Sequence, residues 1–205
     1  METILFVQAL VLGFILAVPP GPLGFLCIRR TLVDGRASGF STGLGVATAD
    51  ALYGCVAGLG LTVVSEFVAG HHRSFGVVAG SLLAFLGLRT LFDRRPPRPA
   101  NDVSAGGLLG AFASSLVLTL TNPMTLVSFG LGFAWLGIGE ALDGRLEVFL
   151  LVLGVFLGSL LWWLVLIFGA HRFRGRIGEG GFLWMNRVAG VLILAFAVFV
   201  MFAER

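Results

Sequence analysis

TILFVQALVLGFILAVPPGPLGFLCI, residues 3–28, holds no charged side chain and carries Pro-Pro-Gly-Pro at 19–22. A helix needs about 20 apolar residues to cross the hydrocarbon of a bilayer, so this run is long enough. It is not uniform, because proline lacks the backbone donor and crowds the preceding turn. The stretch therefore reads as a membrane span with a break in its second half. Met1-Glu2 ahead of it offers no basic n-region, and no small-residue cleavage site leads into a polar segment. The expectation is a retained span rather than a secretory leader.

Five more runs repeat the theme: 37–65, interrupted only by Asp50, then about 74–88, 103–139, 148–170 and 184–203. The chain is 57% hydrophobic and only 12% charged, against about 25% charged in an ordinary globular domain. A soluble chain of this size must still cover its surface with polar groups, so lipid is the solvent facing most of it. Soluble enzymes, DNA-binding modules and disulfide scaffolds are disfavoured together. The basic excess, 14 Arg against 11 acidic residues, reads as a topology signal rather than a nucleic-acid patch. Run 103–139 is long for one crossing, with Asn122-Pro123 near its middle, and fits either one broken helix or two short segments in a hairpin. The flanking loops decide. Arg89, Arg94, Arg95 and Arg98 precede it, whereas Arg145 stands among Glu140, Asp143 and Glu147 after it. Those are opposite membrane faces, so the run crosses once. Loops one, three and five are Arg-rich and therefore cytoplasmic, which puts both termini outside.

Arg94-Arg95-Pro96-Pro97-Arg98-Pro99 divides the spans three and three. The expected fold is an all-α integral membrane protein, a single domain over 1–205, with repeats 1–93 and 103–205 around a linker at 94–102. An odd number of crossings per repeat makes the two insert in opposite directions. Each half has a proline break in its first span, Pro19–Pro22 and Asn122-Pro123. Freed carbonyls at membrane depth are tolerated only against protein or a wet cavity. The breaks read either as kinks for packing or as the paired helix breaks that frame a substrate site.

With these residues in view the chain resembles the LysE/RhtB family of small-molecule exporters. Pro20-Gly21-Pro22, then Arg30, Gly35, Gly39, Gly43, Gly45, Asp50 and Gly58, look like its signature region, and Asn122-Pro123 like its second landmark. The resemblance implies a bacterial plasma-membrane exporter of amino acids or related metabolites that runs on an ion gradient. Two positions depart from the family pattern: Pro19 stands where a polar residue is usual, and Met124 where Lys is frequent.

The candidate solute and ion site comprises Asp50, Pro20, Gly21, Pro22, Asn122, Pro123, Thr121 and Tyr53. Asp50 is the one acidic residue well inside a run. A carboxylate there costs roughly 2.5–3.5 kcal/mol on insertion scales, so it should face protein or water. It reads as a proton carrier or ion-coupling group, with a structural carboxylate as the other reading. Asn122, with Thr121, Thr125 and Ser128 beside it, contacts solute or satisfies freed backbone, or both. No Lys or Arg stands deep within a span, Arg187 counting with the fifth loop, so an anionic group would need backbone amides at broken helix ends. Gly-x3-Gly spacings at 35–43, 54–58, 76–80 and 154–158 mark close helix approach within the bundle or a dimer. Trp135 and Trp184 read as interfacial anchors, and lining a cavity is one option for Trp162-Trp163. Cys27 and Cys55 read as free thiols, and His71-His72 lacks a third ligand for zinc.

The expected partners are a small-molecule substrate, membrane lipid and a coupling ion, H⁺ or Na⁺, with a homodimer left open. No cofactor, metal, nucleic acid or enzymatic chemistry is expected. A passive channel, a membrane assembly subunit and a transmembrane thiol–disulfide carrier stand as the competing functions.

Overall fold

A computed structural model describes residues 2–18, 21–59, 72–92, 104–135, 142, 144–173 and 179–202. Among these the chain is all-helical, with eight helices and no strand. They are α1 (Glu2–Ala17), α2 (Pro22–Val33), α3 (Arg36–Gly58), α4 (His72–Phe92), α5 (Ala105–Leu120), α6 (Pro123–Trp135), α7 (Arg145–Phe173) and α8 (Glu179–Phe202). The linker expected at 94–102 falls outside the described residues, as do Pro19, Pro20 and His71.

The first and fourth apolar runs are each two helices. The axes of α1 and α2 differ by 81°. Gly21, in extended conformation, caps α2, and its carbonyl accepts from Gly24 N–H at 2.9 Å and Phe25 N–H at 3.3 Å. Pro22 is the first residue of α2, where its missing donor costs nothing and its fixed φ suits the helix. The run 103–139 likewise separates at Thr121 and Asn122, and Pro123 opens α6. Among the described residues, 145–172 is long and apolar enough to cross a membrane as one helix, and α1 with α2 passes the same test as a bent pair.

Sidedness within the bundle supports the same environment. Ile4, Phe85, Leu109, Phe149, Phe168 and Val198 point outward and are more than half exposed, while Thr31, Thr42, Ser115, Thr119, Ser159 and Asn186 are almost fully buried. Water would invert that arrangement. Lipid favours it, because interhelical hydrogen bonds and close small-residue contacts replace the hydrophobic drive between helices.

Helix α1 packs on α7 and α5 packs on α3, while α3 also packs on α7 and α4 on α8. Glycine permits the closest approaches. At Gly154 an added Cβ would lie 2.8 Å from the Phe6 carbonyl of α1, and Gly158 sits directly against the Leu10 carbonyl. Gly45 of α3 meets the Phe112 carbonyl and the Ser115 hydroxyl of α5 in the same manner. Between α2 and α3 the chain turns on Asp34 and Gly35, the latter at φ 96°, a region that disfavours side chains.

Helix α2 is secured by two consecutive arginines. Arg29 donates through Nε to Asn186 Oδ1 of α8 at 3.0 Å. Arg30 donates to Thr42 Oγ1 of α3 at 3.0 Å, and to the Ala111 carbonyl and Ser114 Oγ of α5 at 3.1 and 2.9 Å. The fork geometry of guanidinium is what lets one side chain join three helices.

Candidate solute and ion site

Where α5 ends, the backbone faces a donor deficit. In an unbroken helix the amide of residue 123 would donate to the Thr119 carbonyl, but Pro123 has no N–H. The Asn122 N–H takes up part of the deficit, donating to Thr119 O at 3.1 Å. Tyr53 of α3 supplies the rest, its hydroxyl lying 3.1 Å from both the Thr119 and the Leu120 carbonyls. Its ring stacks on Phe129 of α6, with centroids 5.5 Å apart at 26°. One tyrosine thus touches both sides of the second break.

One turn earlier on α3, Asp50 is 3% exposed. Ser159 of α7 donates to Asp50 Oδ2 at 2.6 Å, a length typical of a hydroxyl bonded to a carboxylate. The small residues around it, Val46, Ala47 and Gly54, let α7 approach, and Gly54 makes ordinary contact with Val155. Buried polar residues in a span are expected to pair with one another, and this pair joins two helices far apart in sequence.

A cavity of about 260 Å³ opens between these elements. That is far above the roughly 10–15 Å³ one water needs, and just below the range of drug-sized ligand pockets, about 300–1,000 Å³. Gly21 and Pro22 line it from the first break and Asn122 from the second, with Asp50 and Thr119 in its wall. Thr125, Ser128 and Phe129 of α6 and Trp163 of α7 complete the polar and aromatic part of the lining.

Of the residues expected from sequence, Asp50, Gly21, Pro22 and Asn122 therefore meet at one cavity. Tyr53 stands behind the wall, holding the end of α5. Thr121 is buried and its hydroxyl donates back to the Val117 carbonyl at 2.7 Å, which commits it to its own helix. Pro123 starts α6, and Pro20 lies outside the described residues. Ser159 was not anticipated, although it is the sole hydroxyl of α7 and sits mid-helix among aliphatic neighbours. Arg30 was anticipated only through the resemblance, and its clamp on α3 and α5 has no local signal. Cys27 is buried with its Sγ 3.7 Å from the Gly39 carbonyl, and Cys55 is half-buried; both are free thiols. No group of three or more metal-ligating side chains occurs among the described residues.

The chain matches the family described as LysE type translocator over residues 14–204. It is 31% identical over 163 residues to the "Chemotactic transduction protein ChpE" of Pseudomonas aeruginosa, covering 77% of this chain and 78% of that protein. It is also 29% identical over 116 residues to the "Uncharacterized membrane protein YahN" of Escherichia coli, covering 54% of this chain and 50% of that protein. No solved structure matches it.

Proposed function

The chain belongs to the LysE type translocator family of membrane proteins, and on that premise we propose that it is a secondary-active exporter of amino acids or related small metabolites across the bacterial plasma membrane. The observation that carries this reading is the single cavity on which both broken spans and the mid-span carboxylate of Asp50 converge. Broken helices meeting at mid-depth are how secondary transporters expose backbone donors and acceptors to a solute. In this reading Gly21, Pro22 and Asn122 contact the solute, with Thr121, Pro123 and Tyr53 shaping the second break and Pro20 the first.

The fold is proposed to be six spans in two inverted three-helix repeats, 1–93 and 103–205, joined by a cytoplasmic linker at 94–102 with both termini outside. The helix pairings support it. Exchanging α1 with α5, α2 with α6, α3 with α7 and α4 with α8 turns the α1–α7 contact into α5–α3 and leaves the α3–α7 and α4–α8 contacts as they are, although the α2–α3 packing has no comparable α6–α7 packing among the described residues. A two-fold relation between halves produces that pattern.

Asp50 is proposed as the group that couples transport to an ion gradient, with H⁺ the favoured ion and Na⁺ the alternative. Its bond to Ser159 is the link to motion. An ionised carboxylate accepts a hydroxyl proton more strongly than a neutral acid does. Loading and unloading Asp50 therefore alters how firmly α3 is held to α7, on the wall of the cavity. A ligand or proton shifts a two-state equilibrium only by its difference in affinity for the two states, and this bond supplies such a difference.

Proteoliposomes test the reading. Asp50→Asn keeps the shape and fixes the group neutral. Gradient-driven export is expected to stop while solute-for-solute exchange continues. Normal driven export by Asp50→Asn would make Asp50 a packing residue. A second reading, a part in transduction rather than transport, is suggested by the name of the Pseudomonas relative, "Chemotactic transduction protein ChpE"; absence of counterflow for every amino acid tried, by protein that is folded and inserted, would favour it.

A further inference from the structure

Beside the α1–α2 elbow a second space, of about 70 Å³, adjoins the cavity. Ala17, Gly21 and Gly24 line both, so among the described residues no side chain larger than a methyl is common to the two. Gly24 is not demanded by its backbone, since Gly35 alone among the described residues has a positive φ. Packing does not demand it either, because an added Cβ would meet no atom within 4 Å. What the missing side chain leaves is room where the two spaces meet.

The spaces differ in chemistry. The larger carries Asp50, Asn122, Thr125 and Ser128. The smaller is walled by Val18, Phe25, Ile28, Trp162 and Leu166. Its α7 wall is held from behind, where Trp162 and Leu166 pack on the buried cluster of Cys27, Val46, Trp163 and Ile167. Phe14 meets the Trp162 ring edge-on, with centroids 5.8 Å apart at 87°. An apolar space of this kind holds water poorly, and filling it with hydrocarbon is favourable. Its volume is about half of the roughly 150 Å³ that takes benzene, which suits a branched aliphatic group and not an aromatic ring.

We infer that the space beside Trp162 is the subsite for the side chain of the transported solute, which makes that solute an α-amino acid with a small branched aliphatic side chain, of the size of valine or leucine. This rests on the exporter reading above. The ammonium and carboxylate lie among the polar groups of the larger cavity, and the side chain passes over Gly24 into the smaller one. Gly24 and Trp162 then set specificity, the first by leaving the entrance open and the second by limiting its depth.

The experiment measures counterflow of alanine, valine, leucine, phenylalanine and lysine by the full chain in proteoliposomes. The wild type is expected to take valine and leucine with a KM about ten-fold below that of alanine, and to move phenylalanine and lysine poorly. Gly24→Leu places an aliphatic group in the subsite and should raise the KM for leucine about ten-fold while that for alanine changes less than two-fold, with no fall in unfolding midpoint. Trp162→Leu deepens the subsite and should admit phenylalanine, a gain that misfolding cannot produce. Preference for lysine over leucine in the wild type overturns the subsite and leaves the exporter reading standing. So does an unchanged leucine-to-alanine ratio in Gly24→Leu, the result expected if a lipid acyl chain fills the space, or continued exclusion of phenylalanine by Trp162→Leu. If folded and inserted protein counterflows no amino acid at all, both readings fall.

Discussion

Replacing Tyr53 with Phe removes one hydroxyl and leaves the stack on Phe129 in place. The hydroxyl proton is shared between the Thr119 and Leu120 carbonyls, and Thr119 O keeps the Asn122 N–H when it is lost. The net loss is one buried bond, worth about 0.5–1.5 kcal/mol in a soluble setting. Double-mutant cycles within membranes average about 0.6 and reach about 1.7 kcal/mol. Tyr53→Phe should therefore cost about 1 kcal/mol, read as a fall of about 2–4 °C in unfolding midpoint by analogy with soluble chains of this size. The cause is checked by a cycle with Pro123→Ala, which restores an N–H opposite the Thr119 carbonyl. In that background Tyr53→Phe should cost less than half as much. Equal cost in both backgrounds would refute the idea that Tyr53 fills the gap proline leaves, and no cost in either would mean the hydroxyl is idle.

The remaining predictions concern packing, the arginine clamp and topology. Gly158→Ala forces a Cβ against the Leu10 carbonyl and should lower stability by about 1–3 kcal/mol, whereas exposed Gly169→Ala, with open space around it, should be neutral or gain up to about 1 kcal/mol in thermal unfolding. Matching effects would contradict close α1–α7 packing. Arg30→Lys keeps the charge but cannot reach Thr42, Ala111 and Ser114 together, and should cost about 2 kcal/mol by the same assay; an unaltered midpoint would mean those bonds contribute nothing. Arg98→Cys, in a chain with Cys27 and Cys55 replaced by Ala, should resist an impermeant thiol reagent applied outside intact cells. Labelling there would reverse the proposed orientation.

The helical class was legible in the charge-free runs, because a bilayer imposes length and apolarity on every span. Both breaks were legible too, since proline acts on the backbone locally wherever it stands. Asp50 stood out because the composition excludes charge around it. What the sequence left unread is pairing across distance. Nothing near Ser159 says that α7 lies against α3, and a lone hydroxyl in an apolar helix usually turns back to its own backbone, as Thr48 does toward Leu44. The same holds for Arg30, whose three acceptors lie on two other helices. Thr121 stands beside the second break in sequence, and its hydroxyl proton goes to the Val117 carbonyl of its own helix.

The tyrosine that closes the backbone of α5 also imposes an order in time. Ribosomes deliver α3 before α5 and α6, so the hydroxyl is already in the membrane when the Asn-Pro interruption follows it. The nascent chain never has to shelter those carbonyls from lipid unaided. Permuting the gene so that residues 103–205 are made first would reverse this, releasing an interrupted span whose acceptor groups have no donor until the other half arrives. Tyr53 and the carbonyls it serves lie in contact across the chain, yet the order in which they are made cannot be exchanged.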